Sequence, residues 1–465
     1  MNRTLDEKFC HTLSDNVEGF SEFSYEEQRT TAHLVQHNLT CDQFKHSSYP
    51  DCFYASHAFL NKVYGRTKFE EKMKSLKPQL ISVEHGYDVS GRETKAYKLT
   101  DEAQMLFEMY LDKIIEEGAA PIELTSGKRL RKGRANAVAS KDHHGFAVKS
   151  SIKIPSWQTI NIPALFQYKD LLNNDLIFAK NNQNIPYLKQ EYGEKFLSKI
   201  QRCLYQVIQL IAYAQAGFHL GQLYLRYDEA DGGRLYGKGL HLQNVSKIVR
   251  NAALAECYDY DIENCHFSLM YQLASKQGEE CLGIKSYMDN KRLYRERIAS
   301  DLDLSIDKVK TCLIAIMYGA TRSRRNQDAI PSEIGLHKAK QFYRHPIVER
   351  LFYDITKARK VIIGACAKSN GRYKNAMGKF IAGTEQHSKV LAHIMQGLEA
   401  KILTIVAGIY PDQIVLLQHD GWVTKAEIDT QIIVDTVVKE LDINIQITEQ
   451  MIESRSYEDM KEVSN

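Results

Sequence analysis

The chain has 465 residues, of which 43% are hydrophobic and 26% are charged. This composition is that of an ordinary globular protein with room for two or three domains, and it excludes low-complexity and repeat classes of chain. The net charge of +3 says little about partners, because proteins that bind nucleic acid concentrate positive charge locally.

Membrane and redox signals are both weak in the sequence. No apolar run reaches the roughly 18 residues that a membrane-spanning helix needs, and residues 1–8 lack a secretory pattern. The nine cysteines include no C-x-x-C pair, which favours reduced thiols over a zinc site or a disulfide framework. We expect no membrane partner and a cytoplasmic location, in the host cytoplasm if a phage or plasmid encodes the chain.

The first predicted elements are two helical patterns that bracket a hairpin. The helical patterns cover residues 53–76 and 101–115, and the strand-like segments cover 80–85 and 94–99. This order is compatible with a winged helix-like unit that binds DNA, although it is common in other folds. We assign residues 1–125 to a helix-rich accessory domain.

Positive charge is concentrated in the next segment. Residues 126–153 contain eight basic side chains and one acidic one, with three glycines among them. This pattern favours a flexible linker over 126–155 that follows a phosphate backbone, and the alternative is a solvated loop. An amphipathic helical pattern then runs through residues 185–220.

A strand that ends in acids leads directly into a helix. Residues 258–262 alternate as a strand, with Asp259 and Asp261 on the same face. Asn264 is suited to cap the helical pattern that follows over 265–274. The alternative is a strand with a solvated acidic edge.

The following helix carries a lysine among apolar residues. Four residues fall on one face of its helical pattern: Lys310, Ile314, Met317 and Tyr318. A core helix with a snorkelling lysine would give this pattern. A helix that presents a cation to a triphosphate and stacks an aromatic ring on a base would give it too. The basic run at 321–325 is placed to meet template phosphates.

An acid at a hairpin tip is the last predicted feature. Residues 414–417 and 421–423 are two short apolar strands that meet at a tight turn containing His419 and Asp420. An isolated pair of this kind is ordinarily only a turn former. The acidic strand and the lysine-bearing helix upstream favour a functional role for the His419–Asp420 turn.

In this order the segments resemble the palm and fingers of family A DNA polymerases, the DNA polymerase I class, and more distantly the single-subunit phage-type RNA polymerases. The matching stretches are Gly233-Arg234-Leu235 with Leu242-Gln243-Asn244 for G-R-L and L-Q-N, Ile248-Val249-Arg250 for I-R-x-A-F, residues 261–267 for D-Y-S-Q-I-E-L, Lys310 with Tyr318-Gly319 for K-x7-Y-G, Met395-Gln396-Gly397 for I-Q-G, and Gln418-His419-Asp420 for V-H-D. Residues 1–217 show no such resemblance.

The resemblance implies roles at these positions. Asp261, the Ile262 carbonyl and Asp420 correspond to metal ligands, and Lys310 to the cation that neutralises the triphosphate and protonates pyrophosphate. The implied nucleotide-binding residues are His266, Ile314, Tyr318 and Gly319. The implied nucleic-acid contacts are Arg234, Gln243, Asn244, Gln396 and His419, to which the basic run adds Arg322.

The chemistry of phosphoryl transfer favours Mg²⁺ at such a site. Negative charge develops on the attacking and leaving oxygens, and two Mg²⁺ ions about 3.5–4 Å apart would clamp both. Two carboxylates and one backbone carbonyl are sufficient, because Mg²⁺ keeps several waters. Mn²⁺ is an alternative ion. Asp259 is an additional candidate ligand, but Asp261 is favoured because it lies at the strand-to-helix junction.

Four positions depart from the family pattern. Ile306 replaces an Arg, Ile314 replaces an aromatic residue or Met, and Gly421 replaces Glu or Ser. His266 stands where the family has Glu, beside the sugar. Its ring would either exclude a 2′-hydroxyl or hydrogen-bond to one. We favour exclusion, because a neutral imidazole gives a hydroxyl one strong contact of order 1 kcal/mol.

We therefore predict an α+β protein with a right-hand polymerase fold of palm, fingers and thumb, behind a small helix-rich N-terminal domain. The predicted boundaries are 1–125 for the accessory domain, 126–155 for the linker, 156–232 for a thumb-like helical region, and 233–465 for palm and fingers. Residues 1–217 contain no D-x-E pair, so no proofreading exonuclease is expected.

The predicted activity is DNA-directed DNA synthesis by a nucleotidyltransferase that acts in replication. Expected partners are DNA primer-template, nucleoside triphosphates and other replication proteins. One alternative is an RNA-synthesising enzyme on the same fold, either a single-subunit RNA polymerase or a primase. Another is a non-catalytic nucleic-acid binding module, against which the joint retention of Asp261, Lys310 and Asp420 argues. The sequence leaves the template type and the primer requirement open.

Overall fold

The computed structural model describes residues 4–40, 57–65, 68–85, 95–117, 121–123, 157–181, 196–216, 221–238, 240–366 and 368–453, together with positions 52, 53, 55, 154, 188, 189 and 192. Almost all of the predicted linker over 126–155 lies outside these residues, as does the tip of the predicted N-terminal hairpin, so both stay predictions.

Helices predominate in the described chain. They are α1 (Glu7–Asn16), α2 (Tyr25–Thr40), α3 (His57–Tyr64), α4 (Lys68–Ser75), α5 (Asp101–Glu117), α6 (Ile162–Asn181), α7 (Phe196–Ala216), α8 (Lys247–Ala253), α9 (Cys265–Ser275), α10 (Leu282–Asp289), α11 (Lys291–Leu302), α12 (Ile306–Met317), α13 (Ala329–Ile334), α14 (Leu336–Arg344), α15 (Pro346–Ala365), α16 (His387–Ile409) and α17 (Thr430–Leu441).

The strands are short and pair only antiparallel where their register is defined. They are β1 (Thr4–Asp6), β2 (Ile81–His85), β3 (Ala96–Leu99), β4 (Pro121–Glu123), β5 (Trp157–Thr159), β6 (Gln222–Tyr224), β7 (Arg226–Glu229), β8 (Leu235–Lys238), β9 (Tyr258–Ile262), β10 (Lys368–Ser369), β11 (Arg372–Lys374), β12 (Phe380–Ala382), β13 (Ile414–Leu417), β14 (Gly421–Thr424) and β15 (Ile447–Met451).

The N-terminal part is helix-rich and carries the β2–β3 hairpin. The helical pattern over 53–76 forms two helices rather than one, α3 and α4, because Gly65 adopts a left-handed conformation with φ of 86° between them. Helices α2 and α5 pack against α7. Phe107 of α5 meets Tyr205 of α7 edge to face, with ring centroids 5.5 Å apart.

Helix α7 contains the amphipathic pattern predicted within 185–220. Ile200, Leu204 and Ile208, at helical spacing, are buried, and α7 packs along α6. The pair supplies a large apolar interface between the N-terminal helices and the rest of the chain. Its assignment to a thumb stays a prediction.

A four-stranded antiparallel sheet in the order β13-β14-β9-β15 carries the candidate site. The acidic strand and the apolar hairpin of the sequence are β9 and β13–β14, as predicted. Tyr260 of β9 and Trp422 of β14 stack with centroids 5.6 Å apart and ring planes at 7°, and both are fully buried. This pair fixes the register that sets Asp261 opposite Gly421.

Helices α9, α15 and α16 pack together next to the end of β9, and α12 packs against α13 and α15. The lysine-bearing helix is α12, as predicted. The predicted cap of α9 is wrong in one respect. Asn264 precedes the helix, but its side chain makes no capping hydrogen bond, because its backbone is left-handed rather than extended.

One helix of the described chain, α16, is long and apolar enough to cross a membrane, and 72% of its most apolar stretch is buried inside the protein. A buried core helix has the same length and composition, so this is weak evidence for a membrane span. The described chain is thus a mixed helix and strand structure. An arrangement of palm, fingers and thumb is considered below as a proposal.

Candidate active site

Two carboxylates come together where β9 and the β13–β14 hairpin end. The Ile262 N–H donates to the Asp420 carbonyl oxygen at 2.9 Å, and the Gln418 N–H closes the hairpin turn on the Gly421 carbonyl at 2.8 Å. Since Asp261 pairs with Gly421 across the sheet, Asp420 lies next to it. Both acids reach solvent.

Steric packing explains why residue 421 is a glycine. A Cβ atom at this position would overlap the Tyr260 carbonyl oxygen of the neighbouring strand. The close approach of β14 to β9 therefore requires glycine. The same approach brings the hairpin tip to Asp261, so the absence of a side chain at Gly421 belongs to the architecture of the site.

The neighbouring acids raise the proton affinity of Asp261. The pKa of Asp261 is raised to about 6, by partial burial first and then by the negative charges of Asp420 and Asp259, while Lys291 and Lys310 oppose the shift. Concentrated negative charge of this kind is relieved by a bound cation. Lys291, at the start of α11, adds a positive charge near Asp261 that the sequence analysis did not predict.

Asp259 is held by protein groups instead. Its Oδ1 accepts a hydrogen bond from Gln418 Nε2 at 3.0 Å. Burial raises the pKa of Asp259, and Arg250 and Lys247 counter that shift. Because the Asp259 carboxylate already has an amide partner, Asp261 is the better candidate ligand.

The donor set at the sheet edge fits a hard divalent cation. Asp261 and Asp420 offer carboxylate oxygens from two strands, and the Ile262 carbonyl is adjacent in the chain. Mg²⁺ prefers oxygen ligands and needs few of them from the protein. These three residues would hold the metal.

Lys310 lies on the exposed side of α12. The buried face of α12 consists of Val309, Cys312, Leu313, Ile316 and Met317. Lys310 is exposed, Ile314 and Tyr318 are half-buried, and the three recur at intervals of four. Met317, predicted on the same face, belongs to the core instead. The charge of Lys310 lowers the pKa of Asp261, so the ammonium lies within electrostatic range of the carboxylate.

The C-terminal end of α12 lies close to the start of α16. Gly319 has φ of 94°, in the left-handed region. A Cβ atom there would overlap Ser388 at the start of α16. The backbone at Gly319 therefore packs directly against the start of α16.

A buried polar cluster lies beside Tyr318. Arg234, in the turn between β7 and β8, donates from Nε and Nη2 to the two carboxylate oxygens of Glu399 at 2.7 and 2.6 Å. His266 Nε2 lies 2.6 Å from Glu399 Oε2. The Tyr318 hydroxyl lies 2.7 Å from His266 Nδ1 and 3.3 Å from Arg234 Nη2. Three of these four residues were predicted from the sequence.

Glu399 was not predicted. It lies within α16 and is wholly buried. Burial alone would raise its pKa, but hydrogen bonds from His266 and Arg234 outweigh this and hold the pKa below its usual value. A single acid inside the apolar pattern of α16 is the sequence signal that could have identified it.

Gln243 and Asn244 bind the protein's own backbone. Gln243 accepts from the Gly237 N–H at 2.6 Å and donates to the Leu417 carbonyl at 2.7 Å. Asn244 donates to the Gly237 carbonyl at 3.0 Å. These bonds tie the β7–β8 hairpin, and therefore Arg234, to β13. A contact of either amide with nucleic acid stays a prediction.

The remaining predicted nucleic-acid contacts are spread over several surfaces. His419 packs against the Tyr236 ring at 4.9 Å, and burial followed by the Arg234 charge lowers its pKa. Gln396 lies against Gly232. Arg322 pairs with Glu349 at 3.4 Å and is half-exposed. Their roles toward nucleic acid stay predictions.

A second group could in principle hold a metal. Within the described chain, donor atoms of Cys265, His266 and Glu399 lie within 4.8 Å of one another. However, Arg234 already neutralises Glu399. Burial, and then the charges of Glu399 and Asp420, raise the pKa of the Cys265 thiol well above its ordinary value. A cation would have to displace the guanidinium, so this donor set fits a metal poorly.

No protein-family model matches the chain, and no curated protein matches it. Among solved structures it is similar to the POL domain of Pol1 from M. smegmatis, in complex with DNA primer-template and dNTP. The identity is 15%, the TM-score is 0.43, and the match covers 75% of this chain and 72% of that chain. A similarity this distant carries no functional argument, so function is inferred below from the residues of the site.

Proposed function

We propose that the chain is a template-directed nucleic acid polymerase, specifically a DNA-directed DNA polymerase without a proofreading exonuclease, built as palm, fingers and thumb. The observation that carries the proposal is the adjacency of Asp261, at the end of β9, and Asp420, in the β13–β14 turn. The positive charge of Lys310, on a separate helix, acts on Asp261. Two-metal phosphoryl transfer needs this combination of charges.

Each residue has a distinct task in this mechanism. Two Mg²⁺ ions, when bound, would supply charge neutralisation at the attacking and leaving oxygens. Asp261 and Asp420 would hold these ions beside the primer terminus. Lys310 binds the triphosphate and donates a proton toward pyrophosphate. Tyr318 and Ile314 line the space for the incoming nucleotide along the same strip of α12.

The proposed partners are a DNA primer-template and nucleoside triphosphates, with other replication proteins as further partners. Exposed cations support a nucleic-acid interface, among them Arg322, Arg324 and Arg325 directly after α12. An RNA-synthesising enzyme on the same fold would use the same three charged residues.

A primer-extension assay tests the proposal. Deoxynucleotides and ribonucleotides are each offered on DNA and RNA templates, with and without primer. We expect deoxynucleotide incorporation on a primed DNA template. Asp261→Ala and Asp420→Ala should each reduce the rate by more than about 100-fold and leave nucleic-acid binding intact.

Asp435→Ala is a matched control, because Asp435 is exposed on α17 and accepts a hydrogen bond from Gln431 of the same helix. It should retain the wild-type rate. Incorporation that survives in either active-site variant would show that the metal assignment is wrong.

A further inference from the structure

The three-stranded sheet β10-β11-β12, between α15 and α16 in the chain, carries a concentrated positive charge. Residues 368–384 contain four basic side chains and no acidic one. One of the four, Lys379, pairs with Glu229 at 3.2 Å. In the part of the chain that the structure describes, the other three have no acidic partner, and they are Lys368, Arg372 and Lys374. Their charges are therefore available to an anion from outside the chain.

Strand pairing places two of these cations around an exposed aromatic ring. Lys374 pairs with Phe380 across β11 and β12, and Arg372 pairs with Ala382. All four are exposed, whereas Tyr373, between the two cations, is buried on the opposite face. The Arg372 guanidinium lies 4.9 Å and the Lys374 ammonium 5.9 Å from the centroid of the Phe380 ring. We call the outward face formed by Arg372, Lys374, Phe380 and Ala382 the basic aromatic face.

The sheet is anchored next to the buried cluster of the candidate site. Asn375, directly after β11, is buried and donates to the Gly232 carbonyl oxygen at 2.9 Å. A Cβ atom at Gly233 would overlap Met377. Because Gly233 directly precedes Arg234, the turn between β11 and β12 packs against the turn that carries Arg234. The basic aromatic face is thus built on a fixed support.

Single-stranded nucleic acid matches the chemistry of this face. Its phosphates bind cations, and its unpaired bases stack on aromatic rings or on guanidinium planes. Cation–π contacts such as those of Arg372 and Lys374 are weak at exposed sites, so a phosphate can draw either cation off the ring. A duplex offers the same phosphates but no free base for Phe380, which is 43% exposed.

We propose that the basic aromatic face binds single-stranded DNA, with one base stacked on Phe380 and neighbouring phosphates bound by Arg372 and Lys374. This binding needs neither metal ions nor a nucleoside triphosphate. The choice of DNA over RNA rests on the proposed function, in which the unpaired part of the template is the strand bound here.

Binding of a fluorescein-labelled oligodeoxythymidylate to the full chain, followed by anisotropy in a chelator, tests the inference. Phe380→Ala should weaken this binding about tenfold, as expected for the loss of one stacked base. It should leave the affinity for a blunt duplex unchanged. Equal losses for single strand and duplex, or no loss for either, would overturn the stacking role of Phe380.

Salt dependence isolates the phosphate contacts. The double variant Arg372→Gln with Lys374→Gln should reduce the slope of log affinity against log salt by about 1.4, because each phosphate contact on a single strand contributes about 0.7. Phe380→Ala should keep the wild-type slope, since the ring neutralises no phosphate. A double variant with the wild-type slope would overturn the phosphate contacts.

Tyr353 on α15 provides a matched control. It is 56% exposed, and the Lys357 ammonium lies 4.8 Å from its ring centroid. However, Lys357 already pairs with Glu279 at 3.1 Å, so this ring has no free cation beside it. Tyr353→Ala should keep the wild-type affinity and slope. A loss as large as that of Phe380→Ala would overturn the assignment of binding to the basic aromatic face.

A tryptophan probe reports stacking directly. Phe380→Trp should keep the affinity for oligodeoxythymidylate. Its fluorescence, measured as the difference from the wild type, should be quenched when the oligonucleotide binds, because an indole ring stacks on a base as a phenyl ring does. A tryptophan that is not quenched would place the base elsewhere and overturn the proposal.

Two further outcomes separate this inference from the proposed function. Oligouridylate that binds more tightly than oligodeoxythymidylate, and loses that affinity in Phe380→Ala, would overturn the choice of DNA. If the wild type incorporates no nucleotide at all, the proposed function fails. The binding measurements still decide whether the basic aromatic face takes a single strand, since they contain neither metal nor nucleoside triphosphate.

Discussion

Asp261 is ionised at a free-energy cost in the absence of metal. Its folded-state pKa of about 6 lies above the ordinary value of 3.8. The folded protein therefore binds this proton more tightly than the unfolded chain. The cost is full above about pH 6 and fades as the pH falls from 6 toward 3.8.

Asp261→Asn should for this reason stabilise the metal-free protein while it abolishes incorporation. We expect a rise in melting temperature of about 1–3 °C at pH 8 in a chelator, and a smaller difference below pH 6. Thermal unfolding followed by fluorescence measures both. Added Mg²⁺ should stabilise the wild type more than the variant. Equal stabilisation of the two would exclude Asp261 as a ligand.

Lys310 can be tested against its neighbour on the same helix. Lys310→Ala should lower kcat at least about tenfold and weaken triphosphate binding, because a positive charge beside developing phosphate charge is lost. Lys308→Ala is the control, since Lys308 is exposed and points about 200° away around the helix. A Lys310→Ala protein that differs only in template affinity would place α12 elsewhere in the mechanism.

At the scale of elements, periodicity predicted the parts that build the site. The alternation of β9, the apolar hairpin and the helical period of α12 were readable, because burial on one face leaves a period in the chain. The predicted face of α12 was wrong at Met317, which is buried with the core. Two further misjudged features depend on backbone conformation. Asn264 and Gly65 adopt left-handed conformations, which residue type alone did not specify.

Long-range partners were also invisible in the sequence. Arg234 was predicted as a contact to nucleic acid, but its pairing with Glu399 joins a hairpin turn to a distant helix. Gln243 has backbone partners on β8 and β13. No local pattern encodes such pairings, because they exist only once the elements have packed.

The close approach of β14 to β9 can be tested by substitution at Gly421. Gly421→Ala should lower the melting temperature by several degrees and reduce incorporation, because its methyl group would push against the Tyr260 carbonyl and separate the strands. Gly408→Ala is a matched control in α16, where a Cβ atom meets nothing within 4 Å. Alanine should there be neutral or stabilising by up to about 1 kcal/mol. Equal melting temperatures for both variants would contradict the tight approach.

For the whole molecule, the N-terminal helices are packed onto the remainder rather than tethered to it. Phe107 is fully buried against Tyr205 of α7. Phe107→Ala should cost about 3–5 kcal/mol of stability and leave incorporation per folded molecule unchanged. Met109→Ala, at an exposed site on the same helix, should cost little. Calorimetry would reveal a separate low-temperature transition if the region were instead independent.

The ion pair of Arg234 and Glu399 links the choice of residue at position 399 to the choice at position 266. Arg234 needs one carboxylate partner. Either position could supply it, because the side chains of Glu399 on α16 and His266 on α9 lie 2.6 Å apart. His266→Glu alone would bring two acids together, whereas His266→Glu with Glu399→Ala would satisfy Arg234 again. A double-mutant cycle should show a coupling of about 1–3 kcal/mol. Among related chains the two positions should change as a pair, with an acid at one or the other and rarely at both.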